Sequence, residues 1–247
     1  MIPYTRRKKI LEFMHSKEIV YLDEIKEKTN VSLATVRRDL KTLSEEEHIQ
    51  LLSGGAVKLI KNVAEKSLAE KLNLNNEEKE IIGSYVATLI GDGQFVFLGP
   101  GTTENHIIKH LEGKDVTVVT NGAFHINELQ RYNINTILLG GNLLTNISVI
   151  VGPSAINQVS SMYFDKCFIG ASGITVDRGL TTSNMDVAEI NKIVIKNSKE
   201  VYFIGDSTKL GHNSRYIFAQ IKDDHKLITT KKANLDGLDS NKAIVIE

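Results

Sequence analysis

A single cysteine among 247 residues excludes an internal disulfide. That residue, Cys167, stands in the apolar run Cys167-Phe168-Ile169, where it reads as a small buried hydrophobe rather than a nucleophile. Lys plus Arg and Asp plus Glu balance at 30 each, so any attraction for a polyanion must come from a local excess. No apolar run is long enough to span a bilayer as a helix. The N-terminus passes from Thr5-Arg6-Arg7-Lys8-Lys9 straight into an amphipathic segment, without the apolar core of a signal peptide. The seven histidines are scattered, with no ligand-spaced cluster, so nothing calls for a metal or other cofactor. There is no internal repeat and no low-complexity tract. These absences imply a protein of the reducing cytosol with no membrane partner. Its apolar (41%) and charged (24%) fractions suit a globular chain long enough for two domains.

The most informative stretch is Asn30 to Leu40. Ser32 is placed to cap a helix by offering its hydroxyl to the free N–H groups of the first turn. Val36, Leu40 and Leu43 recur at i, i+4 and i+7 and form one apolar stripe. Thr35, Arg38 and Lys41 fall on another face, with Arg37 beside them, and offer donors and positive charge where a major-groove reader needs them. An ordinary amphipathic helix with a solvated basic side would show the same triplet Arg37-Arg38-Asp39. The flanks favour the first reading. Arg6–His15 is a helix with Ile10, Phe13 and Met14 inward, Ile19–Tyr21 a short extended piece, and Leu22–Lys28 a second helix. Thr29 to Val31 make the turn. Ile49–Val57 is a hairpin around Gly54-Gly55. The parts are those of a winged helix-turn-helix over residues 1–57. Residues 1–41 carry ten basic against six acidic side chains. Such an excess drives salt-dependent binding to DNA phosphates. The Arg6–Lys9 run is either part of that field or a solvated helix start.

Residues 58–76 are charged and lack a strong apolar period, which marks a linker with some helix. Over 77–247 the pattern alternates. Helices at Glu77–Ile90, Thr103–Leu111, Ala123–Tyr132, Pro153–Ser161 and Met185–Ser198 separate short apolar strands at Phe95–Leu98, Val116–Val119, Thr136–Leu139, Lys166–Ile169 and Glu200–Ile204. Leu227–Thr229 and Ala243–Ile246 close the chain. This is an α/β domain with a mainly parallel sheet covered on both faces. Ligands in such sheets bind beyond the carboxyl ends of the strands. There the chain carries Gly99-Pro100-Gly101-Thr102-Thr103, Thr120-Asn121-Gly122, Gly140-Gly141, Gly170-Ala171-Ser172-Gly173 and Gly205-Asp206-Ser207-Thr208-Lys209. Turns need small residues in any case; five together, the last with an acid and a lysine, favour a ligand cleft. Gly101, Thr102 and Thr103 suit a phosphate, although the Walker ending is missing. Lys209 can neutralise a phosphate oxygen and Asp206 can accept sugar hydroxyls, or the two can form a structural salt bridge.

On these motifs the chain resembles the DeoR family of bacterial transcription regulators. The resemblance rests on Val31-Ser32, Thr35-Val36-Arg37-Arg38-Asp39-Leu40, Leu43 and Gly54-Gly55-Ala56, and on the strand-end loops together with Gly179-Leu180-Thr181-Thr182. It implies DNA-binding roles for Ser32, Thr35, Arg37, Arg38 and Lys41. It also implies a sensor domain over 77–247, similar in fold to ribose-5-phosphate isomerase, that binds a phosphorylated sugar. Effector-binding residues implied are Lys71, Lys79, Gly101, Thr102, Thr103, Asn121, Gly141, Ser172, Gly173, Asp206 and Lys209. Lys71 and Lys79 match a basic pair ahead of the first strand that the family uses in inducer response; a charged, solvated helix is the other reading of both. The sequence departs from the family at His48, where Gly is usual, at Gln50 to Ser53, where a basic residue and a histidine are usual, and at Val187, which replaces a carboxylate. The Gly-Pro-Gly-Thr-Thr loop is similar to that of lactose-system repressors of Gram-positive bacteria, which respond to tagatose 6-phosphate. The expectation is a cytoplasmic repressor of a sugar-metabolism operon, binding double-stranded operator DNA as a homo-oligomer (dimer or tetramer) and released by a sugar phosphate. The alternative is a sugar-phosphate isomerase-like enzyme fused to a DNA-binding module.

Overall fold

Apolar side chains at helical spacing organise the first of two units into which the chain divides, Met1–Ala64 and Glu65–Glu247. The computed structural model describes residues 3–15, 17, 19–45, 49–59 and 68–247, so His48 and the connector residues 60–67 lie outside the described residues. Helix α1 (Pro3–His15) turns Ile10 and Met14 into the core. Strand β1 (Ile19–Tyr21) leads into α2 (Leu22–Thr29), where Ile25 is fully buried. The left-handed residue Asn30 (φ 53°) ends α2 and donates its N–H to the Lys26 carbonyl; asparagine tolerates this conformation better than most side chains do. Helix α3 (Leu33–Glu45) buries Val36, Leu40 and Leu43, the stripe that its spacing predicts. Strands β2 (Ile49–Leu51) and β3 (Ala56–Leu59) form the hairpin around Gly54 and Gly55, whose φ values of 74° and 75° require glycine. β1 joins them, giving an antiparallel sheet in the order β1-β3-β2 with Val20 opposite Val57.

Arg6 departs from the sequence reading of the basic run as a solvated or phosphate-facing segment. It is buried, and its guanidinium forks onto Asp39, with Nη2 3.0 Å from Oδ1 and Nε on Oδ2. A guanidinium and a carboxylate fit each other in this two-pronged way. Arg6 therefore fastens α1 to α3.

The second unit begins with α4 (Leu68–Leu72) and α5 (Asn76–Thr88). Then follow β4 (Gln94–Leu98), α6 (Thr102–Ile108), β5 (Val116–Thr120), α7 (Ile126–Arg131) and β6 (Asn135–Leu138). A hairpin of β7 (Asn142–Leu144) and β8 (Val149–Val151) precedes α8 (Pro153–Ser160) and β9 (Phe164–Gly170). Next are β10 (Gly173–Thr175), β11 (Gly179–Thr182), α9 (Met185–Lys196), β12 (Ser198–Ile204), β13 (Tyr216–Ala219), β14 (His225–Thr230) and β15 (Ala243–Ile246). Seven strands form one parallel sheet in the order β15-β14-β12-β9-β4-β5-β6. Alternating residues feed its two faces. Val96, Leu98, Val118, Phe168, Ile204 and Ile228 pack with α5 and α6. Phe97, Val119, Cys167, Ile169, Phe203 and Leu227 pack with α8 and α9. Cys167 is fully buried, and burial pushes its thiol up to about 12. The β7–β8 hairpin and the antiparallel sheet β10-β11-β13 have no counterpart in the sequence reading. Strands β7, β10 and β11 are three or four residues long and contain Gly, Thr or Asn, so they lack the apolar run that marks a strand; β8 and β13 are apolar, but at three and four residues they are too short for an alternating pattern to show. No described helix is long and apolar enough to cross a membrane.

Candidate functional site

Helix α3 presents one polar face. Ser32 Oγ accepts the Thr35 N–H (3.3 Å) and lies 2.9 Å from Thr35 Oγ1, so both hydroxyls sit at the helix start as a cap. Arg37, Arg38 and Lys41 are exposed, and Thr35 is half-buried beside them. Lys41 lies 3.8 Å from Glu45 one turn on, an exposed pair that constrains it little. Asp39 is the inward member of the Arg37-Arg38-Asp39 triplet: it holds Arg6 while both arginines face out. The outward face of the helix thus carries Arg37, Arg38 and Lys41, with Glu45 as the carboxylate beside Lys41 at its far end.

In the second unit, the carboxyl ends of the parallel strands gather charge. Lys79, on α5, is 2% exposed, and its ammonium donates to the Lys71 carbonyl at 2.5 Å. Burial lowers its proton affinity, with Asp206 acting the other way and Lys209, Glu104 and Lys71 also within electrostatic reach. Its burial overturns the solvated-helix alternative for Lys79. Asp206 is 1% exposed and accepts at Oδ1 from Asn75 Nδ2 (2.9 Å), from the Thr208 N–H (3.1 Å) and from the Thr208 hydroxyl. It builds the loop that carries Lys209. Thr102 and Thr103 are buried at 9% and 6% exposure where α6 begins.

Four other expected residues make their contacts elsewhere. Asn121 is fully buried and donates from Nδ2 to the Ile150 carbonyl (3.1 Å), tying β5 to β8. A side-chain carbon on Gly141 would fall 2.5 Å from the Val151 carbonyl oxygen, and one on Gly173 2.3 Å from that of His212. Ser172 donates its N–H to the Thr181 carbonyl (2.8 Å). Close packing accounts for the two glycines.

Three residues that the sequence reading did not single out complete the rim. Glu78, 5% exposed, accepts the Ser207 N–H (3.0 Å), the Ser207 hydroxyl (2.9 Å) and the Thr230 hydroxyl. Burial raises its proton affinity, but these donors outweigh burial and leave it below the usual carboxylate value. Glu104, 1% exposed, accepts the Gly170 N–H at Oε1 (2.7 Å), and burial raises it to about 7. His125 is fully buried; Nε2–H donates to the Gly101 carbonyl (3.0 Å) and Nδ1 accepts from Thr120 Oγ1 (3.2 Å). Burial lowers it to about 4, so a neutral imidazole holds the Gly-Pro-Gly loop.

Residues 6–61 match the DeoR-like helix-turn-helix domain, and residues 74–231 match the DeoR C terminal sensor domain. The chain belongs to the DeoR family. It is 34% identical over 236 residues to the uncharacterized HTH-type transcriptional regulator FruR of Bacillus subtilis (strain 168), covering 95% of this chain and 94% of that one. The HTH-type transcriptional repressor GlcR of the same organism is also 34% identical over 236 residues, covering 94% and 91%. The lactose phosphotransferase system repressor of Staphylococcus epidermidis (strain ATCC 35984) is 31% identical over 233 residues, covering 93% and 92%. Ribose 5-phosphate isomerase A from Methanocaldococcus jannaschii superposes with a TM-score of 0.41 at 20% identity, over 55% of each chain. A likeness of that size carries no functional argument. This DeoR-family chain is a transcription regulator that binds DNA through its helix-turn-helix.

Signals for the missed rim residues differ. Glu78 is the neighbour of Lys79, which the family pattern marks. Glu104 stands third in α6, a position where glutamate is common for helix capping, and that ordinary role hides it. Nothing local distinguishes His125 from a surface histidine.

Proposed function

We propose that this regulator represses a sugar-metabolism operon and is released from its operator by a phosphorylated sugar bound at the carboxyl ends of the parallel strands. The observation that carries the reading is the set Lys71, Lys79 and Lys209, gathered with Asp206 and with Glu104 of α6, the helix that begins with the buried Thr102 and Thr103. Lysines attract a phosphate, hydroxyls and backbone N–H groups orient it, and a carboxylate suits sugar hydroxyls. Gly101, Asn121, Gly141, Ser172 and Gly173 shape the surrounding loops. On α3, Arg38 with Thr35 and Lys41 reads bases, Arg37 meets the backbone, and Ser32 holds the helix start. The protein acts in the cytoplasm as a homo-oligomer, since paired half-sites need paired helices. Residues 1–57 bind DNA, 58–76 connect, and 77–247 sense.

Coupling runs through the Lys79 ammonium. In this structure it bonds to the carbonyl of Lys71, next to the last residue of α4. An anion draws Lys79 away from that carbonyl, frees α4, and so alters the polypeptide leading to the first unit. An effector shifts the equilibrium only by its difference in affinity for the two states.

The test uses the full chain and duplexes it selects from a random pool. Ribose 5-phosphate, glucose 6-phosphate, fructose 1-phosphate, fructose 6-phosphate and tagatose 6-phosphate are added in turn. One of them should raise the melting temperature and weaken DNA binding about tenfold or more, and Lys209→Ala should abolish both effects. If none does either, the reading fails. Steady turnover of ribose 5-phosphate would replace it with the isomerase alternative.

A further inference from the structure

The connectivity of the sheet singles out one place on the rim. From β4 the chain adds β5 and β6 on one side, then returns to place β9 and β12 on the other. Parallel α/β sheets bind ligands beyond the strand ends where the order reverses in this way. The reversal lies between β4 and β9, and the Glu104 carboxyl occupies it. A side-chain carbon would fall 1.9 Å from Oε2 if built on Gly101, 2.7 Å from Oε1 on Gly99, and 3.0 Å from Oε1 on Gly170. Three glycines from the two strand ends therefore frame the carboxyl.

Its two oxygens are unequal. Oε1 accepts the Gly170 N–H (2.7 Å). Oε2 is buried and has no hydrogen-bond partner among the described residues. The nearby Gly101 carbonyl already accepts from His125 Nε2 (3.0 Å) and from the Asn105 N–H (3.2 Å).

We propose that Glu104 contacts the effector as a neutral acid, with Oε1 keeping the Gly170 N–H while Oε2–H donates to a phosphoryl oxygen, so that binding takes one proton from solution. This rests on the effector reading above and adds how the site recognises a phosphate ester. A carboxylate and a phosphate dianion repel at contact distance; a proton between them converts the repulsion into a hydrogen bond. Lys71 from α4, Lys79 from α5 and Lys209 beyond β12 face Glu104 and favour its ionised form. A phosphate that engages those lysines withdraws that support. Asp206 lies in the same cluster, where it acts on Lys79, and His125 is neutral. Burial already holds the carboxyl at about 7, so near neutral pH the proton is acquired at small cost.

Calorimetry on the full chain tests this, using the sugar phosphate from the panel above that gives the largest thermal shift. Titrations at pH 8 in Hepes and in Tris report the protons taken up; there a phosphate monoester, with its second pKa about 6, is already dianionic. Wild type should take up most of a proton per site and bind about tenfold more weakly at pH 8.5 than at pH 6.5. Glu104→Gln should show neither effect. Infrared difference spectra of wild type should gain a protonated-carboxyl band on adding the same ligand, a readout independent of the variant's folding. No uptake by wild type, as when a sugar hydroxyl donates to an ionised Glu104, or equal uptake by Glu104→Gln, overturns the proposal alone. Absence of binding by every sugar phosphate overturns it together with the effector reading.

Discussion

On α3 the basic side chains assigned to DNA stand in solvent, and the charged group facing inward, Asp39, serves the fold. At the strand ends of the second unit the arrangement is inverted: Glu78, Lys79, Glu104, His125 and Asp206 are each 5% exposed or less. On the proposed effector reading, the difference follows from the two kinds of ligand. A DNA duplex is a long polyanion whose charge is met by solvated cations, and the gain comes from released counterions. A small anion offers few contacts, so its site needs groups already stripped of water and held in place by other bonds. Each such group carries a desolvation cost that its partners must offset. The density of hydrogen bonds around Glu78 and Asp206 shows where that offset arises.

The largest predicted effect tests whether the inward charge on α3 belongs to the fold. Asp39→Ala leaves the Arg6 guanidinium buried without its carboxylate, which should cost about 3–5 kcal/mol. Calorimetric scans of the full chain should show the transition of the first unit moving down while that of the second stays. A second transition that moves equally would mean that the two units do not unfold separately. Arg38→Ala should weaken binding to a selected duplex by about 1–3 kcal/mol and relax preference at one base position. Its melting temperature should match wild type, because Arg38 is exposed. Ser32→Ala should destabilise the first unit by about 1 kcal/mol through loss of the cap. Thr35 then loses the oxygen that its N–H meets at 3.3 Å, and DNA affinity should fall by no more than the helix start frays.

The same contrast explains what could be read from the sequence. Periodicity reports which face of an element is apolar, so α3, its outward arginines and the strands β4, β5, β9 and β12 were legible to within a residue or two. Helix-capping chemistry was legible at Ser32, which acts on its own neighbour Thr35, and the turn at Thr29 to Val31 was legible too, with Asn30 in the left-handed conformation. Arg6 was not, because its partner lies 33 positions away. The rim was half legible. Loops of Gly, Ser, Thr and Asn mark strand ends, but the pattern does not tell packing from ligand contact; Gly141 and Gly173 are explained by the backbones they approach. Glu78, Glu104 and His125 acquire their character only from burial among residues far along the chain, which no local spacing encodes.

The smallest predicted effect is on the wild type itself, where two buried groups of opposite sign oppose each other in the second unit. His125 has its proton affinity lowered from 6.5 to about 4, so the unfolded chain binds a proton first as pH falls, and stability is lost between those values. His225, also lowered by burial, acts in the same direction. Glu104 is raised from 4.5 to about 7, so the folded chain binds the proton first, and stability is gained as pH falls through the same range. Between pH 6.5 and 4.5 the losses and the gain largely cancel, and the second transition of wild type should change by about 1 kcal/mol or less. Glu104→Gln removes only the gain. Its transition should therefore fall relative to wild type as pH is lowered from 7 to 4.5, by up to about 3 kcal/mol at the acid end. In the first unit the shifted groups Arg6 and Glu24 move away from neutrality, upward through the hydrogen bond to Asp39 and downward through that to Lys17. The first transition should consequently be indifferent to the Glu104 substitution at every pH. A variant whose second transition tracked wild type in parallel would show that Glu104 is ionised alike in the folded and unfolded chain. The inverted burial that separates the cleft from the DNA-facing helix would then have no electrostatic consequence at that residue.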